Sequence, residues 1–291
     1  MGWTWFFLSG TAYFGGAALL ATAVVIPIGS RRSAWAAGII ALVGLVVTAL
    51  SATPLPLWLY ALWFASVMGA LLVAWVGAPR HRWMRRAAPL AAVLLTLVAI
   101  AVEAPYLRTP RAPTGDYGTM YEVGDSLSGG VGASSEVTWP RVLADEHRID
   151  VENLAVAGAT TRAALRQTVG VQAPRAIVVV EIGGNDLLSG RSAEDFERDL
   201  DRLLRALQGP DRAIVVIELP LPPLANAYGA AQRRQARLHR ALLVPKRHLA
   251  RILTTRDATI DGLHMSNAGH RMMAEVIWDV VDRSFARNTY R

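Results

Sequence analysis

The sequence predicts an α/β domain built on a mainly parallel sheet and preceded by a group of transmembrane helices. The first observation is that charge is unevenly distributed. Residues 1–104 contain six arginines and one acidic residue, Glu103, whereas the rest of the chain contains 24 basic and 22 acidic side chains. The second is that, after residue 118, apolar stretches with strand spacing alternate with stretches of helical spacing. This alternation is typical of a parallel sheet covered by helices.

Four apolar stretches in residues 1–104 are predicted to be membrane spans, since about 20 residues cross the hydrocarbon core as a helix. They cover residues 5–28, 33–50, 55–77 and 87–102. No positive charge precedes the first stretch, as one would in a signal peptide. A buried globular bundle is the alternative, but buried helices seldom reach these lengths without a charge.

The spans carry no charged residue inside the membrane, and intramembrane charges usually mark transport or proton paths. They are therefore predicted to be an anchor whose helices pack through Gly15, Gly16, Gly38 and Gly44. Arginines follow the first span at residues 31–32 and the third span at residues 80–86, whereas loop 51–56 is uncharged. The positive-inside rule places the arginine-rich loops in the cytoplasm. Four spans then place the rest of the chain outside the cytoplasm, and loss of the short fourth span would invert this.

Residues 105–117 are predicted to be a linker because they are rich in proline and glycine. Residues 118–291 form the predicted α/β domain. Its predicted strands cover residues 119–123, 149–156, 176–182, 212–219 and 241–244. Its predicted helices cover residues 137–147, 160–171, 192–207, 230–240 and 268–285. Ligands of such sheets bind beyond the carboxyl ends of the strands, so the loops at these ends are the candidate site.

Ser126 follows the first predicted strand in the tripeptide Gly124-Asp125-Ser126. A serine hydroxyl becomes a good nucleophile when a base removes its proton and a third group orients that base. Gly124 permits a sharp turn, and Asp125 can hold the loop through nearby amides. Taken alone, this tripeptide is common in turns.

His264 is the natural base, since Asp261 three residues earlier can accept a hydrogen bond from its Nδ1–H. His270 is a poorer candidate because it lies inside a predicted helix and lacks a carboxylate three residues before it. Taken alone, the Asp261–His264 pair could equally be a helix cap or a surface contact.

Donors for an oxyanion are supplied by two further loops. Asn185 follows a pair of glycines after the third predicted strand, and its side-chain amide can stabilise a tetrahedral intermediate. The backbone N–H groups of Gly158 and Ser126 would complete the oxyanion hole. A plain tight turn is the alternative for the glycine pair. The ordered occurrence of all these residues after successive strands favours an ester hydrolase.

This ordered set resembles the SGNH hydrolase (GDSL esterase) superfamily, whose four signature residues are Ser, Gly, Asn and His. Here they match Ser126 in GDSLS, Gly158 in NLAVAGAT, Asn185 in IGGND, and His264 with Asp261 in DGLH. Residues 118–285 are most similar to the bacterial thioesterase, lysophospholipase and arylesterase branch, which usually lacks membrane spans. The resemblance implies a flavodoxin-like three-layer α/β/α fold. It also implies ester hydrolysis through an acyl-serine intermediate, without a metal or a cofactor.

Three functional hypotheses remain open. The first is a membrane-anchored esterase of the bacterial inner membrane, with its hydrolase domain on the periplasmic side, acting on lipid, lysophospholipid or aryl esters. The second is an O-acetylesterase or acyltransferase acting on cell-envelope glycans. The third is a non-catalytic envelope protein that has kept the fold. A nucleic-acid partner is not expected, since the soluble part carries no basic stripe interleaved with aromatic residues. The chain has no cysteine, which excludes a cysteine nucleophile and thiolate metal sites.

Overall fold

The computed structural model describes residues 2–26, 30–76, 83–132 and 135–285. The chain divides into two compact units. One comprises Trp3–Leu107 with Leu221–Asn226, and the other comprises Arg108–Pro220 and the residues from Ala227 onward. The first unit consists mainly of apolar helices, and the second contains the sheet.

Among its described residues, the first unit contains five helices and a closing 3₁₀ turn. They are α1 (Trp3–Leu8), α2 (Thr11–Val25), α3 (Arg31–Leu50), α4 (Leu57–Trp75), α5 (Met84–Glu103) and the turn Ala104–Leu107. Within the described residues, three helical segments are long and apolar enough to cross a membrane: Arg32–Leu50, Leu57–Trp75 and Met84–Leu107. The ends of the first and third predicted spans, Ile28 and Gly77, lie outside the described residues, as do Arg80 and Arg82.

The first predicted span is not a single helix. Gly10 adopts φ +81°, in the left-handed region, and separates α1 from α2. Helix α2 has 15 residues, which corresponds to about 22 Å and is shorter than the ~30 Å hydrocarbon core. The fourth predicted span is longer than expected. Helix α5 has 20 residues, or about 30 Å, because Arg85 and Arg86 belong to its first turn instead of preceding it.

Two of the four predicted packing glycines lie at the contact between α2 and α3. A Cβ added to Gly16 would clash with Thr48 Oγ1 and would lie 2.8 Å from the carbonyl oxygen of Gly44. A Cβ on Gly38 would meet nothing within 4 Å, and one on Gly15 would meet only the ring of Phe6. Close approach of the two helices therefore depends on Gly16 and Gly44, and the prediction for Gly38 was wrong.

The second unit contains a five-stranded parallel sheet in the order β2-β1-β3-β4-β5. The strands are β1 (Thr119–Gly124), β2 (Asp150–Asn153), β3 (Arg175–Glu181), β4 (Asp211–Ile217) and β5 (Leu242–Val244). The central strand β3 is buried from Ala176 to Glu181. A strand that is apolar on both faces must be covered by helices on both faces. The predicted α/β fold with a parallel sheet is confirmed.

Eight helices are described around the sheet. They are α6 (Ser126–Gly129), α7 (Trp139–His147), α8 (Thr161–Ala164), α9 (Gly184–Leu188), α10 (Ala193–Leu207), α11 (Asn226–Leu238), α12 (Lys246–Thr254) and α13 (Asn267–Val281). Helix α10 begins where its sequence predicts, because Ser192 Oγ accepts a hydrogen bond from the Asp195 amide at 3.0 Å. The predicted helix 160–171 is instead the single turn α8 followed by the 3₁₀ turn Gln167–Gly170.

The segment predicted as a linker is hydrogen-bonded to the second unit from Ala112 onward. The Ala112 amide donates to the carbonyl of Val280 at 2.7 Å, and the Tyr117 amide donates to that of Ser284 at 3.0 Å. Ser284 Oγ donates to the carbonyl of Pro113 at 2.8 Å. Prolines suit this extended path, since it needs few backbone donors. We call residues 112–117 the strap.

Candidate active site

Ser126 is the first residue of α6, directly beyond the carboxyl end of β1. Asp125 caps this helix by accepting a hydrogen bond from the Leu127 amide at 3.1 Å. Gly124 has no room for a side chain, because a Cβ would lie 2.7 Å from the carbonyl oxygen of Glu181. Ser126 is partly exposed, and its backbone N–H makes no backbone hydrogen bond within the described residues. The sequence thus holds a serine at a tight strand-to-helix turn.

Asp261 and His264 face each other across a tight turn that precedes α13. The turn is closed by a hydrogen bond from the Ile260 amide to the His264 carbonyl at 2.8 Å, and Gly262 adopts φ +86°. Asp261 Oδ1 accepts the amides of Leu263 and His264 at 2.9 and 2.8 Å. Its other oxygen, Oδ2, lies 2.7 Å from His264 Nδ1.

These hydrogen bonds determine which ring nitrogen of His264 is available. Three hydrogen bonds hold the pKa of Asp261 far below its usual range: the bond to the His264 side chain contributes most, and the two backbone bonds contribute less. Asp261 is therefore ionised at neutral pH and can only accept hydrogen bonds, so Nδ1 of His264 carries the hydrogen. In the neutral ring this leaves Nε2 unprotonated, which is the form that a general base requires.

His264 also acts on the loop that carries Ser126. Burial raises the pKa of Asp125, and hydrogen bonds together with the nearby His264 oppose this effect. The charge of the His264 imidazole thus acts on the residue that precedes Ser126. In the described part of the chain no hydrogen bond joins Ser126 Oγ to His264. Catalytic hydrogen bonds are often long in free enzymes and shorten when substrate binds.

Asn185 connects three of the predicted site loops through a single side chain. It lies in α9 after Gly183, which has a φ of +117°, a backbone conformation that glycine adopts and other residues rarely do. Its Nδ2 donates to Asp125 Oδ2 at 3.1 Å and to the carbonyl of Ala159 at 3.1 Å. Ala159 follows Gly158, and Asp125 precedes Ser126, so the Asn185 amide binds the neighbours of the other two predicted oxyanion donors. Both N–H bonds of Asn185 are occupied, so donation to an oxyanion requires release or sharing of one of them.

Gly158 is exposed and adopts φ +76°. A Cβ at this position would meet nothing within 4 Å, so the backbone conformation, not space, requires glycine here. Its N–H makes no backbone hydrogen bond within the described residues. The loop is held by Asp186, which is buried and accepts hydrogen bonds from Thr161 N and Oγ1 at 2.7 and 3.0 Å.

Sequence reasoning missed three residues that hold these loops. Besides Asp186, the side chain of Gln167 bonds both the N–H and the carbonyl of Gly124, each at 2.9 Å. His270, which was set aside as a base, is buried; its Nδ1 accepts the Trp139 amide at 3.2 Å and its Nε2 lies 3.2 Å from Glu136. Asp186 could have been suspected from its position beside Asn185, whereas Gln167 carries no signal in a single sequence.

A cleft of about 450 Å³ borders Gly158. Its volume is within the range typical of small-molecule sites. Aliphatic side chains and backbone form most of its wall, and the only charged side chain in its lining is that of Arg166. The lining residues are Leu154, Val156, Ala157, Gly158, Ala159, Ala163, Arg166, Gln167 and Gly170.

Two glutamates are completely buried behind the Ser126 loop, Glu122 on β1 and Glu181 on β3. Burial raises the pKa of each carboxyl well above its usual range. Neither oxygen of Glu122 has a hydrogen bond of acceptable geometry among the described residues. Such a group stabilises the fold less as the pH rises above its unfolded pKa of about 4.3, because the native state retains a proton that the unfolded state loses.

Replacing Glu122 with Met is therefore expected to stabilise the protein at high pH. The full chain in detergent should show a Tm at pH 8 that is higher by roughly 2–4 °C for each kcal/mol gained, with a smaller change at pH 4.5. Differential scanning fluorimetry at both pH values measures this. An equal change at the two pH values would show that packing, and not proton binding, is responsible.

Comparisons with known proteins agree with this geometry. Residues 123–272, half of the chain, match the model of the GDSL-like Lipase/Acylhydrolase family. The Escherichia coli protein named thioesterase 1/protease 1/lysophospholipase L1 is 31% identical over 121 residues, which are 40% of this chain and 57% of that protein. Esterase TesA of Pseudomonas aeruginosa is 25% identical over 178 residues, 55% of this chain and 86% of that protein.

Among solved structures, the psychrotrophic esterase EstA from Pseudoalteromonas sp. superimposes with a TM-score of 0.51 at 21% identity. The match covers 56% of this chain and 96% of that structure, and it shows a shared fold. The match to the Escherichia coli protein spans little more than half of that protein's length. Apart from Leu221–Asn226, the residues of the family match belong to the second unit. The match includes Ser126, Gly158, Asn185, Asp261 and His264. The chain belongs to the GDSL-like lipase and acylhydrolase family, the SGNH hydrolases.

Proposed function

We propose that the protein is a membrane-anchored serine esterase that hydrolyses acyl esters through an acyl-serine intermediate. The observation that carries the proposal is the Asn185 amide, which bonds Asp125 beside Ser126 and Ala159 beside Gly158. This arrangement supports the proposal that Ser126 is the nucleophile and that the three proposed oxyanion donors act at the same edge of the sheet. The His264–Asp261 pair supplies an oriented base near the same loop.

The proposed reaction has two halves. His264 Nε2 accepts the Ser126 hydroxyl proton while Oγ attacks the ester carbonyl carbon, and the carbonyl oxygen becomes an oxyanion. The N–H groups of Ser126 and Gly158 and the Asn185 amide donate to that oxyanion. The imidazolium returns its proton to the alkoxide that leaves. Water then attacks the acyl-serine with His264 as base, which releases the acid and restores Ser126.

The substrate class is proposed to be lipid, lysophospholipid or aryl esters. The relatives' printed names include lysophospholipase and esterase, and the cleft beside Gly158 has mostly aliphatic walls. A series of p-nitrophenyl esters from C2 to C16, assayed with the full chain in detergent, tests this. A rise of kcat/KM with chain length supports lipid-like esters. Activity confined to C2 would favour the O-acetylesterase hypothesis instead.

Asn185→Ala is expected to lower kcat by roughly 10²-fold, because the lost donor acts on charge that develops in the transition state. KM should change less. Steady-state kinetics with p-nitrophenyl butyrate measures both constants, and Gln208→Ala serves as a control, since that exposed side-chain amide bonds the carbonyl of His239 and no residue of the proposed oxyanion hole. A change in KM alone would make Asn185 a substrate-binding residue.

We propose further that the hydrolase domain faces away from the cytoplasm. The arginines at residues 31–32 and 80–86 place two loops inside by the positive-inside rule. Helices α3, α4 and α5 then cross outward, inward and outward. Since α5 is long enough to cross, the orientation of the hydrolase domain no longer depends on the short α2. Whether α1 and α2 cross affects only the side on which the N-terminus lies.

A C-terminal alkaline phosphatase fusion is therefore expected to be active in intact bacteria, and a green fluorescent protein fusion at the same site is expected to be dark. The phosphatase folds only outside the cytoplasm because it needs disulfides. Fusions after Leu50, which the proposed topology places outside, and after Trp75, which it places inside, provide matched controls. A fluorescent C-terminal fusion with an inactive phosphatase would place the hydrolase domain in the cytoplasm.

A further inference from the structure

Exposed apolar side chains of the second unit are concentrated at one edge of its sheet. Among the described residues of this unit, eight valine, leucine and isoleucine side chains are largely exposed. Six of them lie in the loops and short helices at the carboxyl ends of the strands. We call these six the apolar rim: Val131, Val137, Val156, Leu188, Ile260 and Leu263. Single exposed apolar residues are normal on a protein surface, whereas a group on one face marks a contact with another molecule.

Each loop that carries a proposed catalytic residue contributes to the apolar rim. Val156 is joined to the loop of Ser126, because its amide donates to the carbonyl of Gly124 at 3.1 Å. Leu188 lies in α9 together with Asn185. The other members lie in the loop between α6 and α7 and in the turn that carries the proposed base. The rim therefore surrounds the proposed catalytic residues.

Another exposed apolar side chain lies at the opposite edge of the sheet and serves as a reference. Leu238 ends α11 and precedes β5, so it lies at the amino ends of the strands. It is 66% exposed, close to the values of 70% for Leu188 and 61% for Ile260. Comparable side chains at two edges allow the effect of position to be separated from the effect of exposure.

The chain enters the second unit near the edge that carries the rim. Thr109 Oγ1 lies 2.8 Å from His248 Nε2 and accepts a hydrogen bond from Arg247 Nη2 at 3.0 Å. Arg247 and His248 belong to the first turn of α12, which follows the carboxyl end of β5 at Val244. The last apolar helical segment ends at Leu107. Leu107 is two residues before Thr109, which is about 7 Å of extended chain at most.

We propose that the apolar rim docks the hydrolase domain on the surface of the lipid bilayer, so that esters residing in the membrane reach Ser126 directly. The inference rests on the proposed membrane-anchored esterase function and specifies where the substrate is taken from. Apolar side chains at the headgroup boundary bind in proportion to the apolar area that they bury. Because the anchor already holds the domain beside the bilayer, a weak affinity of the rim is sufficient for docking.

Two substrates separate docking from chemistry. The full chain is reconstituted in phosphatidylcholine vesicles and assayed with 4-methylumbelliferyl oleate, which resides in the bilayer, and with p-nitrophenyl acetate, which is dissolved in water. The double variant Leu188→Gln, Ile260→Gln should lower the rate with the bilayer ester about 10-fold, because two side chains no longer gain from leaving water. It should keep kcat/KM for the soluble ester within about 2-fold.

The controls vary side-chain polarity and position separately. Leu188→Met with Ile260→Met keeps both side chains apolar and should retain both activities. Leu238→Gln introduces the same polar group at the opposite edge and should also retain both. Equal losses with the two substrates in the double glutamine variant would overturn the proposal, because the rim would then act on the chemistry. Unchanged rates with both substrates would overturn it as well.

A direct measurement of depth does not depend on activity. The chain has no cysteine, so Leu188→Cys and Leu238→Cys can each be labelled at a single site with the fluorophore nitrobenzoxadiazole. In vesicles that contain a doxyl-labelled phosphatidylcholine, the label at residue 188 should be strongly quenched and the label at residue 238 much less. Equal quenching at the two sites would overturn the proposal.

The two failures can be told apart. A wild type that hydrolyses the soluble ester but not the bilayer ester would overturn docking and leave the esterase function standing. A wild type without Ser126-dependent hydrolysis of either ester would refute the esterase function, and the quenching measurement would still decide whether the rim contacts lipid.

Discussion

Replacing Ser126 with alanine is expected to reduce ester hydrolysis to the background of the reaction without enzyme. The hydroxyl is the only proposed nucleophile, and in a serine hydrolase its loss alone costs about as much as loss of the whole triad, roughly 10⁶-fold in kcat. The fold should be unaffected, since Ser126 Oγ makes no hydrogen bond within the described residues that the substitution would remove. The Tm of the variant should therefore equal that of the wild type.

The measurement combines p-nitrophenyl ester turnover with covalent labelling by a fluorophosphonate probe. The wild type should be labelled and Ser126→Ala should not. Ser192→Ala is a useful control, because loss of the α10 cap should lower stability by about 1 kcal/mol and leave labelling intact. Turnover close to the wild-type value in Ser126→Ala would refute the mechanism. Wild-type protein that neither labels nor turns over would favour the non-catalytic hypothesis.

His264→Ala is expected to have the second largest effect, a loss of roughly 10⁴-fold or more in kcat. The imidazole is the proposed group that takes the hydroxyl proton and returns it to the leaving alkoxide, so its loss removes both proton transfers. His147→Ala is a matched control, since that ring stacks on Trp278 away from the proposed site. Turnover of His264→Ala within about 10-fold of the wild type would assign the base to another residue.

Asp261→Asn extends this test to the orientation of the ring. An asparagine oxygen can still accept the Leu263 and His264 amides, so the turn should persist. Its amide nitrogen would donate to Nδ1 and so favour a hydrogen on Nε2, the wrong tautomer for a base. A comparable change in a serine protease costs ~10⁴ in kcat. Turnover of Asp261→Asn within about 10-fold of the wild type would show that Asp261 does not determine the tautomer.

The sequence predicted the parts of this protein that depend on local pattern. The strands β1, β3 and β4 were found within a few residues, because β-branched apolar runs bounded by turn residues have few other structures open to them. The bounds of α10 were predicted within one residue, because its apolar residues recur at helical spacing. The same patterns failed where charge and helix geometry compete. The fourth span was predicted to begin after Arg85 and Arg86, but both arginines belong to the first turn of α5. The first span was predicted as one helix because its sequence is apolar throughout, but the backbone at Gly10 divides it into two helices.

The residues proposed for the chemistry could be named from the sequence, whereas the residues that support them could not. Ser126, Asn185 and His264 were identified by residue type and motif. The sequence predicted for Glu181 only that it belongs to a strand, because nothing in a single sequence distinguishes a buried carboxyl from an exposed one. Its burial depends on the pairing of β1 with β3 and on the position of Trp139, which are contacts between distant parts of the chain.

The strap brings the first and last described segments of the hydrolase domain side by side, through the bonds from Ala112 to Val280 and from Tyr117 to Ser284. A domain whose first and last segments are adjacent tolerates being joined to another chain at both ends. It can be inserted into a loop of another protein, or circularly permuted, with little rearrangement of its sheet. A permutant joined across these segments by a short glycine linker and opened at an exposed loop would present the same catalytic edge from a new direction.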